Sequence, residues 1–373
     1  MTTPPTTLIT AAAGKTGRHT ALSLLARGLP VRAMVRRDDA RAADLRNHGA
    51  EVVIGNLADV TDLRRALDGV QRAYWAAPIA PWALEAATLF AAIAEEQHLE
   101  VVVSMSQWLA DPGHSSAHTR AEWLSDQVFA WMPTVGSITV NPGFFAENYL
   151  YTLDAVTQFG LLTAPNGDGR NAPPSNQDIA AVAAALLADP GPHLGRSYRP
   201  TGPTLISTGD FAEILSRILG RRIRYVDVPF AILAKAAGVV GFDDYTVAQL
   251  RWYTEELKAG TFAIGAPTDA VEKLTGRAPE DMETIARRYL ATTPGTTRGL
   301  SGMARAMTVL TKTVLHPAPS QKRYLAAYQG GVAFGTLAAD SAQWHATHDP
   351  DRRLRPVPAT HAAPSSDVTK VAR

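Results

Sequence analysis

With 373 residues, 46% of them hydrophobic, the chain is long enough to bury a full core and to divide into two domains with extra segments. Its net charge of +1, with acidic and basic residues mixed and no Lys/Arg stripe interleaved with aromatics, removes the electrostatic term that drives nucleic-acid binding. The lack of cysteine excludes disulfides, thiolate catalysis and cysteine-ligated metals, and fits a reducing, cytoplasmic setting.

Residues Met1–Thr7 are polar and proline-bearing, without the cationic and apolar regions of a signal peptide, and no apolar run reaches the ~18 residues of a membrane span. A short apolar strand then passes through Thr10, Ala11, Ala12, Ala13, Gly14, Lys15, Thr16 and Gly17 into a helix predicted over Thr16–Arg27. Such a loop makes a phosphate site. Gly14 and Gly17 let backbone amides approach a pyrophosphate, and the helix N-terminus adds partial positive charge. The spacing is GxxGxxG with the first glycine replaced by Ala11, a pattern that also serves helix–strand packing. Its position after one strand and before a second, Val31–Val35, favours a dinucleotide. That second strand ends in Arg36 and Arg37, where an NAD-specific fold places Asp or Glu for the ribose 2′-hydroxyl. A guanidinium there suits a 2′-phosphate, so NADP is the expected cofactor unless Asp38 and Asp39 neutralise the pair.

Strands and helices continue to alternate: strand Glu51–Ile54, helix Val60–Leu67, strand Ala73–Ala76, helix Trp82–Gln97, strand Val101–Met105, helix His118–Trp131, strand Ser137–Val140. This is the beat of an α/β, doubly wound parallel sheet, an NAD(P)-binding Rossmann fold. After Asn141-Pro142-Gly143 the beat is lost. Thr163–Asn176 reads as a loop over the carboxyl edge of the sheet. Helix Asp178–Leu187, strand Ser197–Arg199, helix Phe211–Leu219 closed by Gly220, and helices Phe230–Val239, Thr246–Leu257 and Glu280–Leu290 follow. The expected organisation is a Rossmann domain over 1–160, completed by about 177–204, with a small, mostly helical cap over 161–176 and 205–291. A helical extension over 292–345 and a disordered tail over 346–373 complete the chain. In the extension Met303, Met307, Leu310 and Val314 recur at helical spacing and are expected to pack on the cap or on a second subunit near the cleft mouth, which leaves a homodimer open.

Several motifs together carry a family resemblance. They are the glycine loop with Lys15-Thr16-Gly17-Arg18, Val35-Arg36-Arg37, Gly55-Asn56-Leu57, and Ser104-Met105-Ser106-Gln107. His118 with Glu122, Asn141-Pro142-Gly143-Phe144-Phe145 with Glu147-Asn148, and Glu272-Lys273-Leu274-Thr275-Gly276-Arg277 follow. In order and spacing they resemble the NmrA-like family of atypical short-chain dehydrogenases/reductases over roughly residues 6–291. The chain departs from the family pattern at Ala11 (usually Gly), Asn56 (usually Asp) and Asn141 (commonly Arg), and residues 292–373 have no counterpart in it. The resemblance implies either an NAD(P)H-dependent reductase, like the quinone and azo-dye reductases, or a redox-sensing regulator that binds NADP without turnover and acts on a protein partner.

None of the ten tyrosines has a lysine four residues on, so the Tyr/Lys pair of ordinary short-chain alcohol dehydrogenases is missing. A quinone-like or other conjugated small molecule needs no such pair, because it can take its proton from water or a weak acid and asks mainly for orientation beside a nicotinamide. His118, at the start of the helix after the fifth strand, is the candidate catalytic group; the alternative is a local contact with Glu122, one turn on. His114 makes no metal site without a third ligand. Cofactor contacts are expected from Thr10, Ala11, Ala12, Gly14, Lys15, Thr16 and Gly17, from Arg36 and Arg37, and from Asn56 and Leu57. Ala76, Ala77 and Pro78 are expected beside the adenosine or pyrophosphate, and Ser104, Ser106 and Gln107 beside the nicotinamide. Trp108, Phe144, Phe145, Asn148 and Tyr149 are expected to line the substrate cleft.

Overall fold

The computed structural model describes residues 4–293, 296–317, 319–329 and 335–348. Its first half runs β1 (Thr7–Ile9), α1 (Lys15–Leu25), β2 (Val31–Val35), α2 (Ala40–Asn47), β3 (Glu51–Ile54), α3 (Val60–Leu67), β4 (Arg72–Trp75), α4 (Ala83–Glu96), β5 (Val101–Met105), α5 (Ala117–Ala130) and β6 (Gly136–Val140). The second half runs α6 (Leu153–Phe159), β7 (Leu161–Ala164), β8 (Arg170–Asn171), α7 (Asn176–Ala188), β9 (Ser197–Tyr198), β10 (Ile206–Ser207), α8 (Thr208–Leu219), β11 (Arg224–Asp227), α9 (Phe230–Val239), α10 (Asp244–Lys258), α11 (Ala270–Thr275) and α12 (Met282–Thr292). The extension holds α13 (Leu300–Leu315), α14 (Gln321–Tyr328) and α15 (Ala342–His348).

Seven parallel strands form one sheet in the order β3-β2-β1-β4-β5-β6-β9. Both faces are covered, which is why the strands read as nearly continuous apolar runs. Successive side chains go to opposite faces. Ile9, Val101 and Val103 pack with Leu24 of α1 and Ile179, Val182 and Leu186 of α7. Leu8 and Val102 go the other way, to Leu63 of α3, Phe90 of α4 and Phe129 of α5. Strand order reverses between β1 and β4, and the crevice at their carboxyl ends is where open α/β sheets bind ligands. Helix α2 is missed by periodicity because only Ala42 and Leu45 of it are buried; Asp39 starts it by accepting from the Arg41 amide.

The stretch expected as a loop after Thr163 instead supplies parts of two small sheets, β7 beside β11 and β8 beside β10. The cap has a core of its own, with Leu153, Val156 and Leu162 against Phe211, Leu215 and Ile285. Helix α11 lies on α7, and its Val271 enters the sheet's core.

Two expectations about the extension are corrected. Helix α13 packs on α6 and α9 of the same chain, but through Gly302, Ala306 and Thr313, the residues it buries. A Cβ at Gly302 would lie 2.7 Å from Gln158 Nε2, and Gly238 of α9 leaves room for His316 in the same way. Small residues let the helices approach closely, and the Met303, Met307, Leu310 and Val314 stripe is left exposed on the flank. Order also extends beyond residue 345, because α15 reaches His348. The remainder of the expected disordered tail, 349–373, lies outside the described residues.

The β1–α1 loop shows one local strain. Ala11 has φ 45°, in the left-handed region that glycine enters without a Cβ penalty. Ala11→Gly is therefore expected to stabilise the chain by about 0.5–1 kcal/mol, raising the melting temperature by roughly 1–2 °C in calorimetry. A lower melting temperature would show that the position tolerates alanine without strain.

Candidate active site

The glycine loop is shaped by contact distances. A Cβ on Gly17 would sit 2.5 Å from the Ala11 carbonyl oxygen, and one on Gly14 3.0 Å from the same atom, so only glycine lets α1 lie this close over the loop. Gly14 is the N-cap of α1 and offers no side-chain cap, leaving the first amides of the helix facing the crevice. The Ala12 amide donates to the Met34 carbonyl, tying the loop to β2. Buried Thr10 ties it to β4, because its Oγ1 lies 2.9 Å from the Ala76 carbonyl and accepts from the Ala76 amide. Lys15 leans out of the first turn of α1 to Tyr151, donating from Nζ to the phenol oxygen at 3.1 Å. Thr16 is half-buried beside it.

Arg36 and Arg37 are exposed at the end of β2 and make no ion pair among the described residues. The two nearby acids are engaged elsewhere, Asp38 with Arg46 and Asp39 with Arg41. Asn56 accepts from the Ala58 amide and shapes the turn after β3, with Leu57 packed on the core beneath. After β4 the chain passes from buried Ala76 through Ala77 to exposed Pro78. These segments follow the carboxyl ends of β1, β2, β3 and β4, which are neighbouring strands of the sheet.

Beyond β5 the side chains divide. Ser106 Oγ donates to Asp126 of α5 at 2.7 Å, and Gln107 Oε1 accepts from Tyr253 of α10 at 3.0 Å. Three buried polar atoms here have no hydrogen-bond partner among the described residues: Ser104 Oγ, Gln107 Nε2 and His118 Nδ1. His118 is buried in the first turn of α5, its Nε2 3.6 Å from Glu122 Oε1 and its ring edge-on to Tyr245. Burial lowers its pKa to about 4. Glu122 and Asp126 follow on the same helix face at four-residue spacing. Burial, with repulsion from Asp126, raises the Glu122 carboxyl to about 8, and burial raises Asp126 to about 7 against the pull of its hydrogen bonds from Ser106 and Asn141.

The aromatic residues do not act as one wall. Phe144 packs on Phe262, Tyr253 and Tyr149, with ring centroids 5.3–6.4 Å apart. Trp108 is buried nearby, its Nε1 donating to the Thr261 carbonyl and its ring beneath Arg199. Tyr149 reaches on into the cap core against Phe211, whereas Phe145 turns to the sheet's core. Asn148 is half-buried in the turn between them. Sequence reasoning missed Gln249, Tyr253 and Glu256 of α10, and their i, i+4, i+7 spacing was the available signal. It also missed Asp126, which extends the His118 and Glu122 series by one turn.

Residues 11–134 match the NAD(P)H-binding family model. The chain is 28% identical over 285 residues to the NAD(P)H azoreductase of Xenophilus azovorans, covering 76% of this chain and 98% of that protein. It is 31% identical to the (4-alkanoyl-5-oxo-2,5-dihydrofuran-3-yl)methyl phosphate reductase of Streptomyces griseus, covering 72% of this chain and 93% of that protein. Among solved structures, the NADPH-dependent quinone oxidoreductase of Escherichia coli in complex with NADPH superposes with a TM-score of 0.67 at 21% identity, over 76% of this chain and 99% of that one. The negative transcriptional regulator NmrA in complex with NADP superposes with 0.66 at 18% identity, over 81% of this chain and 100% of that one. The likeness of the solved structures speaks for the fold, and the sequence relatives for the lineage: the chain belongs to the NmrA-like family of atypical short-chain dehydrogenases/reductases and carries its NAD(P)H-binding domain.

Proposed function

We propose that the chain is an NADPH-dependent reductase that delivers a hydride to a quinone-like or other conjugated small molecule at the carboxyl end of β5. The observation that carries this reading is the trio of unpartnered buried atoms, Ser104 Oγ, Gln107 Nε2 and His118 Nδ1. Buried polar atoms are nearly always paired. Three of them around one strand end match a ligand that both donates and accepts, as a nicotinamide amide and an acceptor carbonyl do. At the other end of the crevice, Arg36 and Arg37, with no carboxylate partner, suit a 2′-phosphate. The Gly14–Gly17 cradle, which any Cβ would fill, suits the pyrophosphate.

When bound, the reduced nicotinamide supplies the hydride. Reduction of a quinone to the hydroquinone needs one proton besides, and the chain holds two close by. Glu122 and Asp126 keep theirs up to about pH 8 and 7. His118 is neutral above about pH 4 and turns Nε2 toward Glu122, which leaves Nδ1 to orient the acceptor oxygen. Phe144, Tyr253 and Phe262, packed edge to face, offer an apolar ring against which such an acceptor can lie.

The direct test follows loss of NADPH absorbance in the presence of quinones, azo dyes and enones. Turnover of at least one is expected; tight NADPH binding with no oxidation by any of them would instead fit an NADP-binding sensor. In the active protein His118→Ala should lower turnover about 10²–10⁴-fold with NADPH affinity nearly unchanged. Unaltered turnover would return His118 to a structural role.

Arg36→Glu should weaken NADPH by about 1.5–3 kcal/mol, the strength of a charge-assisted hydrogen bond, and leave NADH nearly unaffected. Calorimetric titration of both cofactors decides it, and equal wild-type affinities would remove the role.

Glu122 and Asp126 hold protons in the folded chain that the unfolded chain has released, so their contribution to stability is full below the ordinary carboxyl range and is lost as pH rises to about 8. Glu122→Gln, which mimics the protonated acid, should therefore gain in melting temperature relative to wild type between pH 5 and pH 8.5. A constant difference across that range would show that Glu122 is ionised throughout.

A further inference from the structure

The loop between β5 and α5 carries Gln107 and Trp108 at one end and leads into His118 of α5 at the other, and on one side it is held by α10 and the turn after it, through His114 with Glu256, Ser116 with Gln249 and Trp108 with Thr261. Its remaining fixed points come from the C-terminal extension. Trp344 Nε1 donates to the Trp108 carbonyl at 3.1 Å, and Ser341 Oγ to Asp111 Oδ2 at 2.8 Å. Thr336 pairs with the loop as a parallel bridge: its amide donates to the Gly113 carbonyl at 3.0 Å and its carbonyl accepts from the Ser115 amide at 2.9 Å. Gln329 Nε2 donates to the Ser115 carbonyl at 2.8 Å, and the Tyr324 phenol oxygen accepts from the Ala117 amide at 3.2 Å. The backbones approach so closely that a Cβ at Gly335 would lie 2.6 Å from the Gly113 carbonyl oxygen.

Trp344 is 1% exposed, and its indole is buried with Trp108, Leu257 and Phe262. The family pattern ends near residue 291, so this contact is made by a part of the chain that the motifs of the family do not include. We propose that residues 319–329 and 335–347 complete the acceptor end of the site by clamping the β5–α5 loop, with Trp344 as the positioning residue that holds Trp108 and, through the loop, Gln107 and His118. The inference rests on the reductase reading above for the chemistry of the acceptor. The clamp itself is a matter of the loop's order and is measured separately.

The experiment uses the full-length chain with Trp344→Ala and Trp344→Phe, the latter keeping an apolar ring and losing the N–H donor. Amide hydrogen exchange is followed over residues 108–118 and over β1–β4 as an internal reference. Exchange in the loop should accelerate at least tenfold in Trp344→Ala and by less in Trp344→Phe, with β1–β4 unchanged. With the best acceptor from the screen, KM should rise about tenfold in Trp344→Ala, with NADPH affinity within twofold of wild type and partial restoration in Trp344→Phe. Loop exchange equal to wild type in Trp344→Ala would overturn the clamp, and so would a lowered KM, which would mark Trp344 as an obstruction. A wild-type chain that turns over no acceptor would defeat the reductase reading alone, and loop exchange would still decide the clamp. Should Trp344→Ala fail to fold, Trp344→Phe decides by the same readouts.

Discussion

A carboxylate without access to water must be given donors, and Glu256 draws its own from two distant parts of the chain and from Thr261, five residues on. His114 Nε2 donates to it at 2.7 Å, Thr261 Oγ1 at 2.5 Å and the Ala338 amide at 2.5 Å. The tautomer of His114 follows, because its Nδ1 accepts from the Ser116 amide and the proton must sit on Nε2. Leaving such a group short of a partner costs about 1–3 kcal/mol or more. The β5–α5 loop, α10 and the extension are therefore coupled at one atom group, and any arrangement that moves one away from the others carries that penalty.

This coupling separates the chain into parts of different character. The Rossmann sheet is held by apolar burial on both faces, a non-directional term spread over many side chains. The acceptor end is held by directional polar contacts: Glu256 to His114, Ser116 to Gln249, Gln107 to Tyr253, Ser106 to Asp126. Directional contacts specify positions more narrowly than apolar packing does. A crevice for a cofactor of fixed shape can rely on the first kind of support; orienting a reacting acceptor calls for the second.

The two kinds of support differ in how far they could be read from the sequence. Apolar runs such as Val101–Val103 and the glycine spacing at 14 and 17 follow directly from strand burial and close helix approach, and the sheet and its crevice were legible for that reason. The face by which α13 docks was not, because the apolar Met303 and Met307 stripe outweighs Gly302 and Ala306 in any count of hydrophobicity, while close packing selects the small residues. Phe144 and Phe145 are adjacent and identical in type, yet they serve the cap and the sheet core respectively. The helical spacing of Gln249, Tyr253 and Glu256 marks one polar face of α10, but the partners of Glu256 and Trp344 were invisible because His114, Ala338 and Trp108 lie far away in sequence and no local period marks such a pairing.

The pattern of satisfied and unsatisfied atoms gives the site its direction. Around β5 and α5 nearly every buried polar group has a partner within the protein, and the exceptions are grouped. Ser106 spends its hydroxyl on Asp126 and Gln107 spends its carbonyl oxygen on Tyr253 and Thr119. Those bonds fix how each side chain is turned. The opposite end of the Gln107 amide, Nε2, is thereby aimed away from the network, as Nδ1 of His118 is when Nε2 faces Glu122. A network complete on one side and open on the other pre-orients its free donors and acceptors before any ligand arrives, so that little ordering remains to be done on binding. The extension contributes to that pre-orientation without entering the network at its open side, since its bonds fall on the loop backbone, on Asp111 and on Glu256, not on the atoms left free.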